Sequence, residues 1–561
     1  MGLLRKSEGV KSLRPRMSIS PGAVSSLRPH PLKKVSPCES ACLAGTDVRG
    51  VISLLAQRER LGLSEEQACE RAWRLIVETN PFPAITGRIC PHRCEEGCNR
   101  HGKDGGVAVG AIERTIGDFG LERGLKLPGC DVPDPHHDKI AIIGAGPAGL
   151  SCAYQLVRRG YAPTIFEGMP EPGGMLRYGI PPYRLPSHVL RGEIQRILDL
   201  GVELRVSTMI GRDVTLEDLH RDYRHVFIAP GAGASRSFQI PGSEGPGVYQ
   251  AIGFLRDVAR GQTPPIGKNI VILGGGNTAV DVARVCVRIL GKDAAITLIR
   301  RRNELVDTEI EDAIAEGVRV ELRTTLNEVI RDAAGNVERV VAQRVDLGDN
   351  DERGYRKMLP IPGDTFEIPT DSLVLALGQK PDVKSLAPGR DMNLDADETG
   401  KTRTEGIWRG GDAVAPSFAA VVIGQGRQVA LSIDAELHGT LSFSSESPKP
   451  IPVPSERIKL DCFEPSERLG RHVAAPESRV ADMQCEVDLG HSAAEALKEA
   501  ARCLSCGNCS GCERCWMFCT PGCMKRLPDK APGHYFSIEL QKCDGCRKCV
   551  DECPCGFLEM V

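Results

Sequence analysis

Residues 139–167 read KIAIIGAGPAGLSCAYQLVRRGYAPTIFE, and this stretch decides the fold of the central part of the chain. Its apolar start is typical of a buried parallel strand, and a glycine-rich turn leads directly into a helix. Glycines let the backbone approach a pyrophosphate, whose charge then lies at the helix N-terminus. The next strand ends at a carboxylate suited to a ribose hydroxyl. The stretch predicts a Rossmann-type site for an adenine dinucleotide, with contacts from Gly144, Gly146, Pro147, Ala148, Gly149 and Glu167.

A second strand–turn–helix unit begins at residue 269 with the sequence NIVILGGGNTAVDVARV. The strand that follows it ends in Arg300, Arg301 and Arg302 instead of an acid. Arginine there would bind the 2′-phosphate of NADP, so the sequence favours NADPH over NADH; plain surface charge is the alternative. The expected nucleotide contacts are Gly274, Gly276, Asn277, Thr278, Asp281, Arg300 and Arg301, with Glu309 as a candidate for the nicotinamide pocket.

The last 60 residues contain two copies of one cysteine pattern, C-x2-C-x2-C-x3-C, and a proline follows the second copy. This spacing is typical of bacterial two-cluster ferredoxins, in which the fourth cysteine of each run ligates the cluster of the other run. Disulfides and zinc are the alternatives. The pattern predicts two [4Fe–4S] clusters, one held by Cys509, Cys512, Cys515 and Cys553, the other by Cys519, Cys543, Cys546 and Cys549.

Composition limits the class of protein. A chain of 561 residues predicts about three to four domains. Its 23 cysteines are clustered, which in a long chain favours metal binding over disulfides and a reducing cytoplasm. No apolar run approaches the roughly 20 residues of a membrane span. A net charge of −3 gives no indication of a nucleic-acid partner.

Two dinucleotide folds in one chain indicate a flavin enzyme that a nicotinamide reduces. Residues 136–445 resemble the two-dinucleotide-binding flavoproteins, in which the NAD(P) domain is inserted into the FAD domain. Residues 408–412, WRGGD, match their flavin-contact segment, and VIGQGR at 422–427 precedes a helix whose N-terminal dipole would stabilise a reduced flavin. The resemblance adds Gly411, Asp412 and Gln425 to the FAD contacts. The redox-active cysteine pair of the disulfide reductases is absent from both of its known places, so iron–sulfur clusters are the expected exit for electrons.

Residues 171–181, EPGGMLRYGIP, resemble a signature of the glutamate synthase small-subunit family. That family includes the electron-input half of dihydropyrimidine dehydrogenase and NADPH–ferredoxin oxidoreductase subunits. The similarity covers about residues 37–440 and includes the cysteine-rich stretch GRICPHRCEEGC at 87–98. It implies further flavin contacts from Gly174, Met175 and Arg177.

The resemblance also implies two [4Fe–4S] clusters in the N-terminal domain. One would be held by Cys42, Cys90, Cys94 and the oxygen ligand Glu113, for which a surface carboxylate is the alternative. The second needs a C-x2-C pair that this chain lacks before Cys38. Our hypothesis is that a pair near the C-terminus replaces it, although a redundant pair is the alternative. The cluster would then be held by Cys38, Cys98, Cys503 and Cys506. Cys523 and Cys555 fit no cluster, and the remaining cysteines are expected to be structural.

These patterns predict a multidomain chain with α+β and α/β parts. Residues 1–36, with eight Lys or Arg against one acid, are expected to form a flexible basic tail. A helical iron–sulfur domain at 37–135 precedes an FAD domain at 136–260 and 386–445. An NAD(P)-binding Rossmann-like domain at 261–385 is inserted into it. A linker at 446–490 and a bacterial ferredoxin-like domain at 491–561 complete the chain.

The expected function is electron transfer from NAD(P)H through FAD and [4Fe–4S] clusters to a ferredoxin or a partner oxidoreductase, or the reverse. No catalytic side chain is expected, because hydride transfer depends on the orientation of two rings. One alternative is a subunit of a hetero-oligomer, such as a glutamate synthase, 2-oxoacid or acyl-CoA oxidoreductase. Another is an iron–sulfur scaffold whose flavin site is empty.

Overall fold

The structure, a computed structural model, describes residues 25–32, 34–130, 138–236, 238–301, 308–350, 356–386, 394–439 and 451–561. Most of the predicted basic tail and Arg302 lie outside these residues. None of the helices in the described ranges is long and apolar enough to cross a membrane.

The N-terminal region is a bundle of helices, as its sequence predicts. The backbones of two of them approach so closely that a Cβ at Gly117 would lie 2.2 Å from the Ala84 nitrogen, so only glycine fits there. The bundle consists of α1 (Pro37–Ala41), α2 (Val48–Ala56), α3 (Glu65–Val77), α4 (Pro83–Ile89), α5 (Arg93–Glu96) and α6 (Val109–Glu122).

A five-stranded parallel sheet follows the bundle and carries the first glycine-rich turn. Its strands are β2 (Lys139–Ile143), β3 (Ala162–Phe166), β4 (Glu203–Arg205), β5 (His225–Ile228) and β16 (Ile407–Arg409), in the order β16-β5-β2-β3-β4. The associated helices are α7 (Pro147–Arg158), α8 (Met175–Tyr178), α9 (Ser187–Leu198), α10 (Leu216–Asp222) and α14 (Ala419–Leu437). Neighbouring strands β5 and β16 are far apart in sequence, so another unit is inserted between them.

The inserted unit contains a second parallel sheet in the order β10-β9-β8-β14-β7. Its strands are β7 (Val248–Gln250), β8 (Asn269–Leu273), β9 (Ala295–Ile299), β10 (Arg319–Glu321) and β14 (Ser372–Leu375). The helices are α11 (Ala251–Ala259), α12 (Asn277–Leu290) and α13 (Thr308–Ala315), and an antiparallel sheet adds β11 (Thr324–Arg331), β12 (Val337–Asn350) and β13 (Arg356–Pro369). The short strands β6 (Ala234–Ser235) and β15 (Gln379–Lys380) pair where the chain enters and leaves.

The inserted unit starts earlier than the predicted boundary at residue 261. Strand β7 precedes that boundary, yet it pairs in parallel with β14, and α11 packs on α12. The sequence pattern did not reveal this because β7 is only three residues long and its partner lies more than 100 residues away.

The C-terminal part contains α15 (Pro476–Ala481), α16 (Ala493–Ala500), α17 (Arg514–Met517), β17 (Met524–Ala531), β18 (His534–Ile538), α18 (Lys548–Asp551) and β19 (Leu558–Met560). Two predicted boundaries differ here. Helix α16, assigned to the ferredoxin-like domain, packs on α2 and α6, and its Leu497 belongs to the core of the N-terminal bundle. Part of the predicted flexible tail forms β1 (Pro29–Pro31), which pairs with β19 in antiparallel orientation.

Candidate functional site

The first glycine-rich turn lies between β2 and the N-terminus of α7. Gly144 has φ +103°, and a Cβ there would lie 2.4 Å from the Ala229 oxygen. At Gly146 an added Cβ would meet no atom within 4 Å, so the space in front of the turn is open. Gly146 is the N-cap and has no side chain to cap the first helical N–H groups. These N–H groups point to a site for an anion such as a pyrophosphate.

Glu167 lies at the end of β3, where the sequence predicts a ribose-binding carboxylate. Its Oε2 accepts a hydrogen bond from the Ala145 nitrogen at 2.7 Å, and its Oε1 accepts one from the Met169 nitrogen at 2.8 Å. Burial raises the pKa of this carboxyl group. Each oxygen has a second lone pair, so the fixed carboxylate keeps acceptor capacity for a hydroxyl.

Two of the other predicted flavin-site segments converge on this turn. Gly174 has φ +53°, and a Cβ there would lie 2.9 Å from Gly146 Cα. Gly411 has φ +63°, and a Cβ there would lie 2.9 Å from Ala148 Cβ. The Oε1 atom of Gln425 on α14 is buried without a hydrogen-bond partner, which a ligand would supply. The open turn and this unpartnered oxygen fit an adenine dinucleotide such as FAD.

The remaining flavin-site candidates are held by local bonds. Asp412 accepts a hydrogen bond from the Ser417 nitrogen at 2.8 Å. Arg177 on α8 donates to the Pro172 oxygen at 2.6 Å and forms an ion pair with Glu171 at 2.5 Å. Its neighbour Met175 begins the same short helix. Pro147 begins α7 and Gly149 lies in its first turn.

The second glycine-rich turn borders a cavity of about 440 Å³. The residues around it include four of the predicted contacts, which are Gly274, Gly276, Thr278 and Arg301. Arg300 instead lines a larger neighbouring cavity of about 830 Å³, where its buried Nε and Nη1 atoms have no hydrogen-bond partner. The two arginines, which the sequence treats alike, therefore lie at different cavities.

The larger cavity separates the N-terminal bundle from the inserted unit. Asn277 and Glu309 line it, and so does Cys90 of the bundle. Asp281, a candidate for positioning the nicotinamide, is buried beneath it, and Arg184 contacts both of its carboxylate oxygens at 2.8 and 3.0 Å. Arg184 also forms an ion pair with Glu309 at 2.8 Å. Asn277 and Glu309 therefore lie at the cavity, whereas Asp281 does not line it and instead binds Arg184, which also holds Glu309.

The residues of the first N-terminal cluster set, which the resemblance implies, lie close together. Cys42, Cys90, Cys94 and Glu113 line one cavity. Oε1 of Glu113 accepts hydrogen bonds from Thr86 Oγ1 at 2.8 Å and Asn80 Nδ2 at 3.2 Å. Burial raises the pKa of Glu113 to about 7. Glu113 is therefore a half-buried group that lines the same cavity as three thiols, and not the surface carboxylate that was the alternative.

The second set joins residues from the two ends of the chain. Burial and the adjacent Cys503 and Cys98 thiols raise the pKa of Cys38 to about 12. Burial is the main cause for Cys506 too, and Cys38 and Cys98 act on it in the same direction. The Cys506 sulfur also accepts a hydrogen bond from Asn99 Nδ2 at 3.5 Å. The spare pair thus lies against Cys38 and Cys98 rather than apart from them.

The C-terminal cysteines form two sets with the predicted exchange between runs. Burial raises the pKa of Cys515, and the adjacent thiols of Cys509, Cys512 and Cys553 raise it further. The other set, Cys519, Cys543, Cys546 and Cys549, lines a single small cavity. Each run wraps around its site through residues with positive φ, which are Gly511 and Glu513 in the first and Gly545 and Arg547 in the second.

Backbone N–H groups donate to several of these sulfurs, as expected for thiolate ligands that carry negative charge. The pairs are Thr46 to Cys42, His92 to Cys90, Ser505 to Cys503 and Gly511 to Cys509, all at 3.4 Å, and Phe557 to Cys553 at 3.3 Å. Among the described residues no three His, Cys, Asp or Glu side chains lie close enough to ligate a single metal ion. The all-thiol sets and the cysteine–glutamate set fit iron–sulfur clusters in donor chemistry.

Some site residues were missed at the sequence level. Asn80 and Thr86, which bind Glu113, carry no motif. Arg49 donates to the Cys506 backbone oxygen at 3.0 Å and so holds the loop that contains Cys503 and Cys506. Cys523 and Cys555, left unassigned, lie next to the two C-terminal sets. Only their cysteine identity could have drawn attention to them.

The structure thus combines two candidate dinucleotide sites, one on each Rossmann-type unit, with several sets of clustered thiols, and this combination defines the class of protein. The protein is an oxidoreductase that combines a flavoprotein fold with iron–sulfur modules.

Comparison with known proteins identifies the family. The pyridine nucleotide-disulphide oxidoreductase family model matches residues 138–428, and the model for dihydropyrimidine dehydrogenase domain II, 4Fe-4S cluster, matches residues 33–125. The chain is 31% identical over 516 residues to the beta subunit of NADPH-Fe(3+) oxidoreductase of Geobacter sulfurreducens, covering 84% of this chain and 75% of that one. It is 34% identical over 512 residues to the beta subunit of NADP(+)-dependent formate dehydrogenase of Moorella thermoacetica, covering 84% and 70%.

A shorter match, 32% over 396 residues, is to the small chain of Escherichia coli glutamate synthase [NADPH], covering 66% of this chain and 84% of that one. The chain belongs to the pyridine nucleotide-disulphide oxidoreductase family, and its predicted likeness to the glutamate synthase small chain is confirmed. It is an FAD- and iron–sulfur-dependent NAD(P)H oxidoreductase that transfers electrons.

Proposed function

We propose that this chain carries electrons between NADPH and a partner oxidoreductase subunit through FAD and four [4Fe–4S] clusters arranged in sequence. When bound, FAD exchanges a hydride with the nicotinamide and single electrons with the clusters. The observation that carries the proposal is the meeting of Cys38 and Cys98 with Cys503 and Cys506. This set connects the N-terminal bundle to the ferredoxin-like part, so that no set of thiols is isolated.

The order of the sites follows from short separations in the chain and in space. Helix α14, which carries Gln425, packs against the loop that follows Cys42, where a Cβ at Gly424 would lie 3.1 Å from the Leu43 oxygen. Ala420 of the same helix lines the cavity of the Cys42 set. That set is therefore the first after the flavin, and the set containing Cys38 and Cys506 is the second. The loop from Cys506 to Cys509 then leads to the ferredoxin-like sites.

The preference for NADPH is supported by Arg301, which lines the cavity of the second glycine-rich turn. Arginine binds phosphate through charge-assisted hydrogen bonds, and only NADP carries a phosphate on the ribose 2′ position. The named relatives, an NADPH-Fe(3+) oxidoreductase subunit and an NADP(+)-dependent formate dehydrogenase subunit, use the same nucleotide.

A partner subunit as electron acceptor is supported by the relatives that match 84% of this chain, because both are named as beta subunits. A free ferredoxin is the alternative acceptor. Co-purification from the native source distinguishes them, since a partner subunit would elute with this chain at a constant ratio. A chain that elutes alone and reduces ferredoxin with NADPH would contradict the subunit assignment.

Iron analysis tests the four clusters. The parent chain should contain about sixteen iron atoms, and a Cys503→Ser/Cys506→Ser variant should lose about four of them, one cluster. A matched Cys130→Ser/Cys485→Ser variant alters cysteines outside all four sets and should keep the parent value. A Cys503→Ser/Cys506→Ser variant with the full iron content would refute the set that joins the two ends.

A further inference from the structure

Residues 25–32, which we call the strap, lie against the ferredoxin-like part of the chain. Strand β1 belongs to the strap and pairs with β19. The backbone groups of Arg28 and Val561 exchange two hydrogen bonds of 2.9 Å, and the Leu32 nitrogen donates to the Phe557 oxygen at 2.7 Å. The strap precedes residue 33, where the match to the dihydropyrimidine dehydrogenase domain II model begins. It is therefore an ordered addition that this match does not cover.

The strap reaches the second ferredoxin-like site. The four thiols of that site are those of Cys519, Cys543, Cys546 and Cys549. Pro29 is buried and lines the same cavity as these thiols. Met560, which lies opposite Pro29 in the pairing of β1 with β19, lines it as well. The strap thus forms part of the wall of the site.

Two backbone carbonyl groups of the strap lie on the ligand loop of this site. Gly545, in that loop, has φ +75°, and a Cβ there would lie 2.3 Å from the Ser25 oxygen and 3.1 Å from the Leu27 oxygen. Nη1 of Arg28 donates to both of these oxygens, at 2.7 and 3.0 Å. Arg28 therefore holds in place the two groups that cover the loop.

The other end of the strap is anchored in an apolar cluster. Leu32 is buried and packs with Val453, Ile458 and Leu504. Leu504 lies in the loop between Cys503 and Cys506. The strap is therefore fixed at both ends, by Arg28 and β1 near the second ferredoxin-like site and by Leu32 near the bridging set.

The first ferredoxin-like site is covered by a different element. Gly511 precedes the second cysteine of its run, as Gly545 does in the other run. A Cβ at Gly511 would lie 3.2 Å from the ring of Tyr535, a buried residue of β18. Two ligand loops with the same cysteine spacing thus have different covers, a tyrosine ring for the first and the strap for the second.

We propose that the strap keeps water away from the second ferredoxin-like cluster and thereby lowers its reduction potential. This inference rests on the proposed function, which assigns a cluster to that site. A reduced cluster carries one more negative charge than the oxidised cluster, and water stabilises a charge better than the protein interior does. Solvent exposure is accordingly one of the factors that set cluster potentials. The strap residues touch the ligand loop and are positioning residues.

The test compares two deletions in the otherwise full-length protein, purified without oxygen. Deletion of residues 2–31 removes residues 25–31 of the strap, whereas deletion of residues 2–24 leaves the strap intact and is the control. Both proteins should keep the parent iron content of about sixteen atoms. The EPR signal of the second site is the one that disappears in Cys546→Ser.

The expected result is a selective change in this signal. In a redox titration followed by EPR, deletion of residues 2–31 should raise the reduced-to-oxidised ratio of the cluster about tenfold at a fixed potential, which is about 59 mV for one electron. In heavy water, ENDOR should detect deuterium near the cluster in this protein. Deletion of residues 2–24 should give parent values in both measurements.

A point variant of the full-length chain provides a second measurement. Arg28→Ala releases the Ser25 and Leu27 carbonyl groups from their side-chain donor and should raise the same ratio. Arg212→Ala, which alters an exposed arginine, is the matched control and should leave the ratio at the parent value.

Three outcomes would overturn the inference while leaving the proposed function intact. The first is a parent-like ratio with no added deuterium after deletion of residues 2–31. The second is an equal shift after deletion of residues 2–24, which would assign the effect to the preceding residues. The third applies if deletion of residues 2–31 removes about four iron atoms. Arg28→Ala then decides, because a parent ratio contradicts the inference and a raised ratio with full iron supports it.

Failure of the proposed function has a different signature. A parent protein without iron in the ferredoxin-like part would overturn both proposals, and iron analysis of the parent shows this before any variant is compared.

Discussion

At the scale of single residues, the neighbouring arginines Arg300 and Arg301 lie in different environments. Arg301 is exposed and borders the nucleotide turn, whereas Arg300 is buried and directs unpartnered nitrogens into the cavity beside the bundle. Both residues follow Ile299, the last residue of β9, where the chain leaves the sheet. A sequence motif of consecutive arginines predicts a positive charge, but not which residue meets the phosphate.

We therefore expect Arg301→Ala to impair the use of NADPH selectively. A hydrogen bond to a charged group contributes about 1.5–3 kcal/mol, so KM for NADPH should rise by roughly 10- to 100-fold while KM for NADH changes little. Steady-state reduction of a viologen dye with each nucleotide measures both values. Arg212→Ala, an exposed arginine remote from the turn, is the control. Equal increases of both KM values would contradict a role in binding the 2′-phosphate.

At the scale of elements, the segment 451–490 is more than the surface linker its composition predicts. Arg88 of the bundle forms an ion pair with Glu486 at 2.7 Å, and the Val487 nitrogen donates to the Tyr183 oxygen at 3.0 Å. Arg479 of α15 reaches Asp312 on α13 at 3.0 Å. The segment thus fastens the bundle to the inserted unit, although its Pro, Ser and charged residues show no periodic apolar face.

The Arg479–Asp312 pair should be important for stability. Arg479 is 4% exposed, and among the described residues its removal leaves Asp312 with only the more exposed Arg471 at 3.2 Å. Loss of a hydrogen bond to a charged group costs about 1.5–3 kcal/mol. Arg479→Ala should therefore lower the thermal unfolding midpoint measured by circular dichroism. Arg212→Ala breaks an exposed pair and should leave the midpoint unchanged. A midpoint for Arg479→Ala equal to that of the parent would show that the segment does not fasten the two units.

At the scale of the whole molecule, the ferredoxin-like part is fixed to the bundle by buried polar contacts. Gln57 at the end of α2 donates to Ser505 Oγ at 3.1 Å and accepts from the Tyr535 hydroxyl at 2.5 Å. Helix α16 adds apolar contacts from Leu497 to the core of the bundle. These contacts hold the ferredoxin-like part against the bundle, as the proposed bridging set of cysteines would require.

Replacement of Gln57 by Leu should loosen this attachment. The change leaves the Ser505 and Tyr535 hydroxyls buried without partners, at a cost of about 1–3 kcal/mol each. Amide hydrogen exchange should then accelerate in residues 503–512 and 533–537. Gln195→Leu, which removes an exposed hydrogen bond to Asp199, is the matched control. Unchanged exchange in both stretches would show that the contact does not hold the two parts together.

The sequence determined the features that depend on contiguous residues. Both glycine-rich turns, the strands before them and the repeated cysteine spacing were predictable, since a turn or a ligand loop is encoded in about ten neighbouring residues. The strands β1 and β7 could not be predicted from neighbouring residues. Each has only three residues and pairs with a strand that is distant in the sequence.

Only the tertiary structure decided how distant groups meet. It brings Asn80 and Thr86 to Glu113, and Cys503 and Cys506 to Cys38 and Cys98. The resemblance suggested that the spare pair completes an N-terminal cluster, but the residues involved are separated by more than 400 positions. They come together where α16 packs on the bundle through its buried apolar face and Gln57 bonds to Ser505 and Tyr535.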